Sequence, residues 1–207
     1  MKTIPEPIAE AAGARTLVLA STSPYRRALL RRLGYPFLTV GPGVEEVAQE
    51  GESAARMVTR LAEAKARALA SRYPEAVIVG SDQMAVLDGV ALGKPGTAEH
   101  AERQLREASG RRVDFLTGLC VLDAASGAAA TVCEPYAVHF RTLTAAEIRN
   151  YVRREEPYDC AGSFKSEGLG IALFERLEGD DPTALIGLPL IQLTRLLRQV
   201  GIDVLAS

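Results

Sequence analysis

Apolar and polar positions along this chain switch between two periods, and the first switch comes early. Residues 17–20 (LVLA) form a short apolar run that predicts a buried strand. Ser21-Thr22-Ser23-Pro24 breaks the run: Ser23 is placed as an N-cap, and Pro24 suits the first helical position. Ala28, Leu29, Leu30 and Leu33 then recur at helical spacing, and Gly34 ends the helix. A strand that runs into a helix aims the helix's free N–H groups at whatever lies above the strand end, and such a terminus attracts anions. Arg26 and Arg27 stand in the first turn, where they oppose the macrodipole. Two serines, free N–H groups and two guanidiniums at one spot suggest a phosphate site. An ordinary capped amphipathic helix with solvated arginines accounts for the same residues.

The pattern continues in alternation. Residues 36–40 (PFLTV) predict a second strand, and Gly41-Pro42-Gly43 turns the chain toward Val44-Glu45-Glu46. Two acids after a strand end either hold a divalent metal or sit in solvent. Residues 53–72 predict a helix with Met57, Val58, Leu61, Ala68 and Leu69 on one face. At about 100° per residue, Arg56, Arg60, Glu63 and Arg67 fall on the other. Lys65 lies in the apolar stripe. A buried, unpaired ammonium is expensive, so Lys65 requires an anionic partner, an opening to a cleft, or a snorkelled path to water.

Residues 75–80 (EAVIVG) predict a strand that continues through Ser81-Asp82-Gln83 to Leu87, with Asp88-Gly89 as a hairpin turn. Asp82 interrupts that strand, as a structural acceptor or as a site residue. Gly93-Lys94-Pro95-Gly96 is not a P-loop, because Gly89 is one residue too close and Pro95 stands in the Ser/Thr place. A helix over 97–109 is capped by Thr97, and His100 reads as a surface residue. Two strands, 113–123 and 131–141, predict an antiparallel hairpin. Thr144 and Glu147 form a capping box that opens a helix to Arg154. A polar, small-residue loop follows over 158–168, then a strand over 170–177. The last helix starts at Pro189 and carries Leu190, Leu193, Leu196 and Leu197.

Early alternation of strands and helices with a long hairpin between them predicts an α/β domain with a mixed sheet. The length of 207 residues fits one large domain or two small lobes. A formal charge of −2 supplies no basic field for nucleic acid. No apolar run approaches a membrane span. Residues 1–15 read as a loose extension without the apolar segment of a signal peptide. The three cysteines, Cys120, Cys133 and Cys160, form no C-x-x-C pair, so neither zinc nor a disulfide framework is expected. A reduced, cytoplasmic protein is the expectation.

LASTSPYRRALLRRLG, VEE, LAEAKA, GSDQ, GKP and AGSFKSEG stand in that order from about residue 17 to the C-terminal helix. In that order the chain resembles the Maf-type nucleoside triphosphate pyrophosphatases. The wording SDQ, YDCAGSFKSEGLGIALFERLEG and DPTALIGLPLI further resembles the branch of that family acting on 7-methyl-GTP. The resemblance implies a mixed, elongated α/β sheet flanked by helices, with two lobes around a cleft, like the inosine triphosphate pyrophosphatases. On that reading residues 16–207 are a single catalytic domain. It implies hydrolysis of a nucleoside triphosphate to the monophosphate and pyrophosphate, with a divalent cation, Mg or Mn. Position by position, the implied catalytic groups are Asp82, Lys65 and Lys94, and the implied substrate-binding groups are Ser21, Ser23 and Arg26. The implied specificity positions are Tyr25, Gln83 and Glu167, and the implied metal ligands are Glu46 and Asp82. The family's usual Asp-Glu pair is Glu45-Glu46 here. The expected partner is a small-molecule nucleotide, with no nucleic acid and no membrane, and a homodimer is left open. The rival readings are a pyrophosphatase for canonical pyrimidine nucleotides and a non-enzymatic regulator of cell division.

Overall fold

A computed structural model describes residues 15–206. The chain forms β1 (Leu17–Ala20), α1 (Pro24–Arg31), β2 (Phe37–Val40), α2 (Ala54–Arg67), β3 (Val77–Leu87), β4 (Val90–Leu92), α3 (Ala98–Ala108), β5 (Arg112–Asp123), β6 (Ala129–Phe140), α4 (Ala145–Glu155), β7 (Phe174–Glu178) and α5 (Leu190–Gln199). The strands make one mixed sheet in the order β2-β1-β3-β5-β6-β7, with β4 folded back on β3. β1 runs parallel to both β2 and β3, and the remaining pairs are antiparallel. The mixed α/β expectation is met. No helix among the described residues is long and apolar enough to cross a membrane.

The residues that the sequence marked as punctuation do that work. Ser23, Ser53, Thr97 and Thr144 all cap helices through their hydroxyls, and Thr144 and Glu147 complete the capping box. Asp88 and Gly89 both have positive φ, which matches the twist of the β3–β4 hairpin.

Two elements differ from expectation. The helix expected over 53–72 is regular only to Arg67 and continues as hydrogen-bonded turns to Tyr73. The strand expected over 170–177 begins only at Phe174, because Leu169–Leu173 winds as a 3-10 turn. Gly170 is pressed against the backbone of Lys165, so an extended chain with side chains does not fit there. Of the extension expected over 1–15, residues 1–14 lie outside the described residues. Arg15 itself is tied down, with ion-pair contact to Asp123 at 2.5 Å and a bond to the Val200 carbonyl.

β3 is the strand that positions the site. Its first four residues pair with β1 on one side, ending at Ala20↔Gly80. β4 begins only at Ala85↔Leu92. Residues 81–84 therefore have β5 on one side and no strand on the other. Strand alternation sends Asp82 to one face of the sheet and Ser81 and Gln83 to the other. α2 lies on the Asp82 face. It lies unusually close, because a Cβ at Gly80 would overlap the Ala62 carbonyl and one at Gly118 would overlap the Val58 carbonyl. Gly118 pairs directly with Asp82 across the ladder. The two glycines thus set the height at which α2 delivers Lys65 onto Asp82. The opposite face packs α5 through Leu190, Leu193, Leu196 and Leu197 onto Leu17, Leu19, Val77 and Val79. Beyond the unpaired stretch, Phe115, Phe140, Phe164 and Phe174 meet edge to face in a separate core region.

Candidate active site

A cleft of about 420 Å³ opens beside the unpaired stretch of β3. That volume is within the range of small-molecule pockets. Ser21, Ser23, Tyr25, Arg26, Glu46, Lys65, Gln83, Lys94 and Glu167 all line it. Residues from six separate places in the sequence are thereby brought together. Asp82 stands behind Lys65 rather than in the lining, and is only 6% exposed. Arg27 is exposed and does not line the cleft.

Lys65 is the centre of the buried end. Its Nζ donates to Asp82 Oδ1 at 2.6 Å and to Glu46 Oε1 at 2.5 Å. The anionic partner that the apolar stripe demanded is therefore a pair of carboxylates. Partial burial pushes the Glu46 carboxyl up, but the Lys65 ammonium outweighs this, with Lys94 and Arg26 adding to it, and Glu46 lies below the usual carboxylate range. Burial pushes the Arg26 guanidinium down, and the fields of Asp82 and Glu46 oppose that.

The start of α1 is organised by its two serines. Ser21 Oγ accepts from Ser23 N at 3.1 Å, and Ser23 Oγ accepts from Arg26 N at 3.4 Å. Arg26 Nε donates to the Gly187 carbonyl at 2.8 Å, and Ser81 Oγ donates to the same oxygen at 2.9 Å. Gly187 has φ of 113°, a conformation that suits glycine, and it turns this carbonyl onto Arg26. Gln83 lines the cleft, but its amide is committed: Nε2 donates to Ala184 O at 2.7 Å, Leu185 O at 3.2 Å and Thr117 Oγ1 at 3.1 Å. The expected specificity position thus also fastens the turn that carries Gly187.

Lys94 reaches the cleft from the loop after β4, and that loop is pinned by residues that the sequence did not flag. Gln104 Nε2 donates to the Gly93 carbonyl at 3.0 Å, while Gln104 Oε1 accepts from Ser163 Oγ at 2.5 Å. Gly96 N donates to Tyr158 O at 3.0 Å, and His100 Nδ1 lies 3.1 Å from the Pro95 carbonyl. His100 is exposed, as expected, yet it also supports this loop. Ser163 is fully buried with φ of 62°, an unfavourable region for a side-chain-bearing residue. No periodicity or motif marked Gln104, and Ser163 and Gly187 stood inside quoted motifs without a role, because each acts through a contact distant in sequence.

The other end of the cleft is aromatic and acidic. Tyr25, Phe115 and Phe164 line it with Asp159, Cys160 and Glu167. The Tyr25 hydroxyl lies 3.3 Å from Asp159 Oδ2 and 3.7 Å from Cys160 Sγ. Burial raises the Tyr25 phenol and holds the Cys160 thiol at about 12, so both stay neutral. Glu167 is exposed on a loop that is tied to α4. There Lys165 N donates to Tyr151 Oη at 3.0 Å, Lys165 Nζ to the Glu155 carbonyl at 2.7 Å, and Leu169 N to Glu155 Oε1 at 2.9 Å. Among the described residues no group of three or more His, Cys, Asp or Glu side chains could by itself hold a metal. Glu46 and Asp82 supply hard oxygen donors: one oxygen of each is held by the Lys65 ammonium, and the second oxygen of each suits a cation that takes its remaining ligands from water and phosphate.

Fold and site together define an α/β protein whose cleft suits phosphates at one end and a ring at the other. The chain belongs to the Maf-like protein family, whose model matches residues 16–200. It is 56% identical over 190 residues to a 7-methyl-GTP pyrophosphatase of Nitrosococcus oceani, covering 92% of this chain and 96% of that one. It is 54% identical over 188 residues to a 7-methyl-GTP pyrophosphatase of Pseudomonas aeruginosa, covering 91% of this chain and 98% of that one. Among solved structures, a nucleoside-triphosphatase / dITP/XTP pyrophosphatase from Mycobacterium abscessus aligns at 17% identity over 90% of this chain and 98% of that chain, with a TM-score of 0.44.

Proposed function

We propose that this chain hydrolyses a nucleoside triphosphate to the monophosphate and pyrophosphate, with 7-methyl-GTP as its preferred substrate. The observation that carries this reading is the division of charge along one cleft. Arg26, Lys65 and Lys94 gather around Glu46, Tyr25 stands with Asp159, and Glu167 lines the same cleft. The two relatives named as 7-methyl-GTP pyrophosphatases support the same choice. 7-Methylguanine carries a delocalised positive charge. Stacking on Tyr25 gains a cation–π contribution of about 0.5–2 kcal/mol. Glu167 accepts from the base's N1–H and exocyclic amine and matches its charge.

The chemistry follows from the other end. Water attacks the α-phosphorus, a new P–O bond forms, the bond to the β-phosphate oxygen breaks, and pyrophosphate leaves. Negative charge grows on the phosphoryl oxygens and the leaving group, so catalysis is mainly positioning and neutralisation. Ser21, Ser23 and Arg26 hold the triphosphate. Lys65 and Lys94 neutralise developing charge. Asp82 takes the proton of the attacking water. Glu46 and Asp82 are the residues that would hold a Mg or Mn ion, which supplies further charge neutralisation when bound. We also read the chain from residue 16 onward as one catalytic domain, because β3 and β5 run through both core regions, and place it in the cytoplasm with the free nucleotide pool.

The test is pyrophosphate release across a panel of 7-methyl-GTP, GTP, dTTP, UTP and CTP. The expected result is the highest kcat/KM for 7-methyl-GTP. Faster turnover of a pyrimidine nucleotide overturns the substrate assignment, and no release from any triphosphate overturns the enzyme reading.

A further inference from the structure

We infer that Asp159 is a second specificity-determining carboxylate of the base end, facing the positively charged ring alongside Glu167. The inference rests on the substrate reading above and deepens it. Asp159 stands in the stretch YDCAGSFKSEG that carries the resemblance, but that resemblance gave it no role.

The case begins with the charges at that end of the cleft. Among its described lining residues, Asp159 and Glu167 are the charged groups, because the Tyr25 phenol and the Cys160 thiol stay neutral. Neither carboxylate takes part in an ion pair among the described residues. Lys165 does not line the cleft: its ammonium donates to the Glu155 carbonyl at 2.7 Å, forms no ion pair with either acid, and reaches Cys160 only through its field. Two carboxylates without an ion-pair partner beside an aromatic wall favour a cationic ring over a neutral one.

The position of Asp159 also fixes its relation to Tyr25. Its two carboxylate oxygens lie 3.3 and 3.5 Å from the phenol oxygen of Tyr25, which stands in the first turn of α1. At those distances the hydrogen bond is weak, so the carboxylate is not consumed by it. Asp159 therefore keeps most of its charge for a ring stacked on Tyr25. The loop that presents it is not slack: Tyr158 O, one residue earlier, accepts from Gly96 N at 3.0 Å. That bond ties the base end to the loop bearing Lys94.

The test compares 7-methyl-GTP with GTP in the wild type and in Asp159→Asn, Asp159→Glu and Tyr25→Phe. Asp159→Asn is expected to raise KM for 7-methyl-GTP about fivefold with little change in kcat, the loss of one charge contact at an open site, and to leave the GTP constants nearly unchanged. Competitive inhibition by 7-methylguanosine, which carries the charged ring and no phosphate, should weaken by a similar factor. Asp159→Glu restores most of the preference. Tyr25→Phe, which removes only the phenol, should change the 7-methyl-GTP to GTP preference less than Asp159→Asn does. An equal loss on both nucleotides, or an equal change in preference from Tyr25→Phe, overturns the inference and leaves Asp159 as a support for Tyr25. A wild type with no preference for 7-methyl-GTP over GTP overturns the substrate reading and the inference together. A preference that survives Asp159→Asn overturns the inference alone.

Discussion

The two ends of the cleft are built in different ways. At the end we assign to the triphosphate every group except Lys94 and Glu46 stands on, or at the very end of, a helix or strand. Lys65 is 5% exposed and Asp82 is 6% exposed, and their ion pair is fixed by the close approach of α2 to Gly80 and Gly118. At the base end Tyr25 and Phe115 stand on α1 and β5, but Asp159, Cys160 and Glu167 sit on loops beside short 3-10 turns, and the two acids are exposed. The difference separates two tasks. Charge neutralisation on a transferring phosphoryl group needs donors that do not move during reaction, which regular elements supply. Recognition of one ring among many needs residues that can change without disturbing the core, which loops supply.

The sharpest way to break this comparison is at Asp82. Asp82→Asn keeps the shape and an oxygen acceptor for Lys65 but cannot take a proton. The expected loss in kcat is about a thousandfold, within the span usually removed with a general base, and 7-methyl-GTP and GTP should lose equally. Circular dichroism should stay near the wild type, while the melting temperature falls, because Lys65 keeps only Glu46 as a charged partner. Turnover that survives the substitution removes Asp82 from the chemistry. A loss confined to one nucleotide removes the division between the two ends.

A pair of glycine substitutions probes the rigidity of each end. Gly118→Ala forces a methyl group against the Val58 carbonyl, and backbone cannot yield as a side chain can. The expected cost is about 3 kcal/mol by chemical denaturation, with a loss of activity because α2 and Lys65 are lifted together. Gly168→Ala meets only the Glu155 carboxylate, the flexible end of a side chain, and should change stability by under about 1 kcal/mol. Similar costs at the two positions would show that the base end is as tightly built as the other.

The same contrast governs what the chain's pattern revealed in advance. The triphosphate end was legible because its physics is local. Ser23 before Pro24 marks a cap, Arg26 violates the dipole rule, Lys65 violates a helical stripe, and Asp82 interrupts a strand. Each is a departure from a period of 2 or 3.6 that one segment displays by itself. The Lys65 partners were not legible, since Glu46 and Asp82 reach it from 19 and 17 residues away. Gly80 and Gly118 read as ordinary strand residues until α2 is laid on them. At the base end Tyr25 and Glu167 entered through the family resemblance, Asp159 stood in a quoted stretch without a role, and Gln104 had no local signature. The misplaced strand over 170–177 has the same origin, because the tight turn at Gly168 and Gly170 is imposed by Glu155 and Lys165.

Glu167 sharpens the comparison from the other side. Glu167→Gln keeps the size and a hydrogen-bond acceptor but removes the charge. The preference for 7-methyl-GTP over GTP should fall about tenfold, through KM, with the GTP constants nearly unchanged. Stability should be unaffected, because Glu167 is exposed and its recorded contact is a 3.4 Å bond from Ser166. An equal fall for both nucleotides would place Glu167 with the triphosphate rather than the base.

The smallest effect is expected at Glu46, where the two building principles meet: an exposed loop residue that bonds a buried ammonium. Its carboxyl lies below the ordinary 4.5 because Lys65, Lys94 and Arg26 outweigh the effect of its burial. A group whose folded pKa is depressed contributes stability that is present above its unfolded pKa and lost as pH falls through the folded value. The contribution of Glu46 is therefore complete at neutral pH, begins to fall near the ordinary value of 4.5, and is lost as pH drops through the lower folded value. With 56% of its side chain exposed, solvent screens the pair, so the change in melting temperature should be small. Glu46→Gln should lower the melting temperature slightly at pH 7 and match the wild type at the acid extreme, so the two curves converge on acidification. Curves that stay parallel from pH 7 to pH 3 would mean that the Lys65–Glu46 contact carries no charge-dependent stability. Asp82 would then be the sole effective counter-ion of Lys65, and Glu46 would be free to serve the phosphates alone.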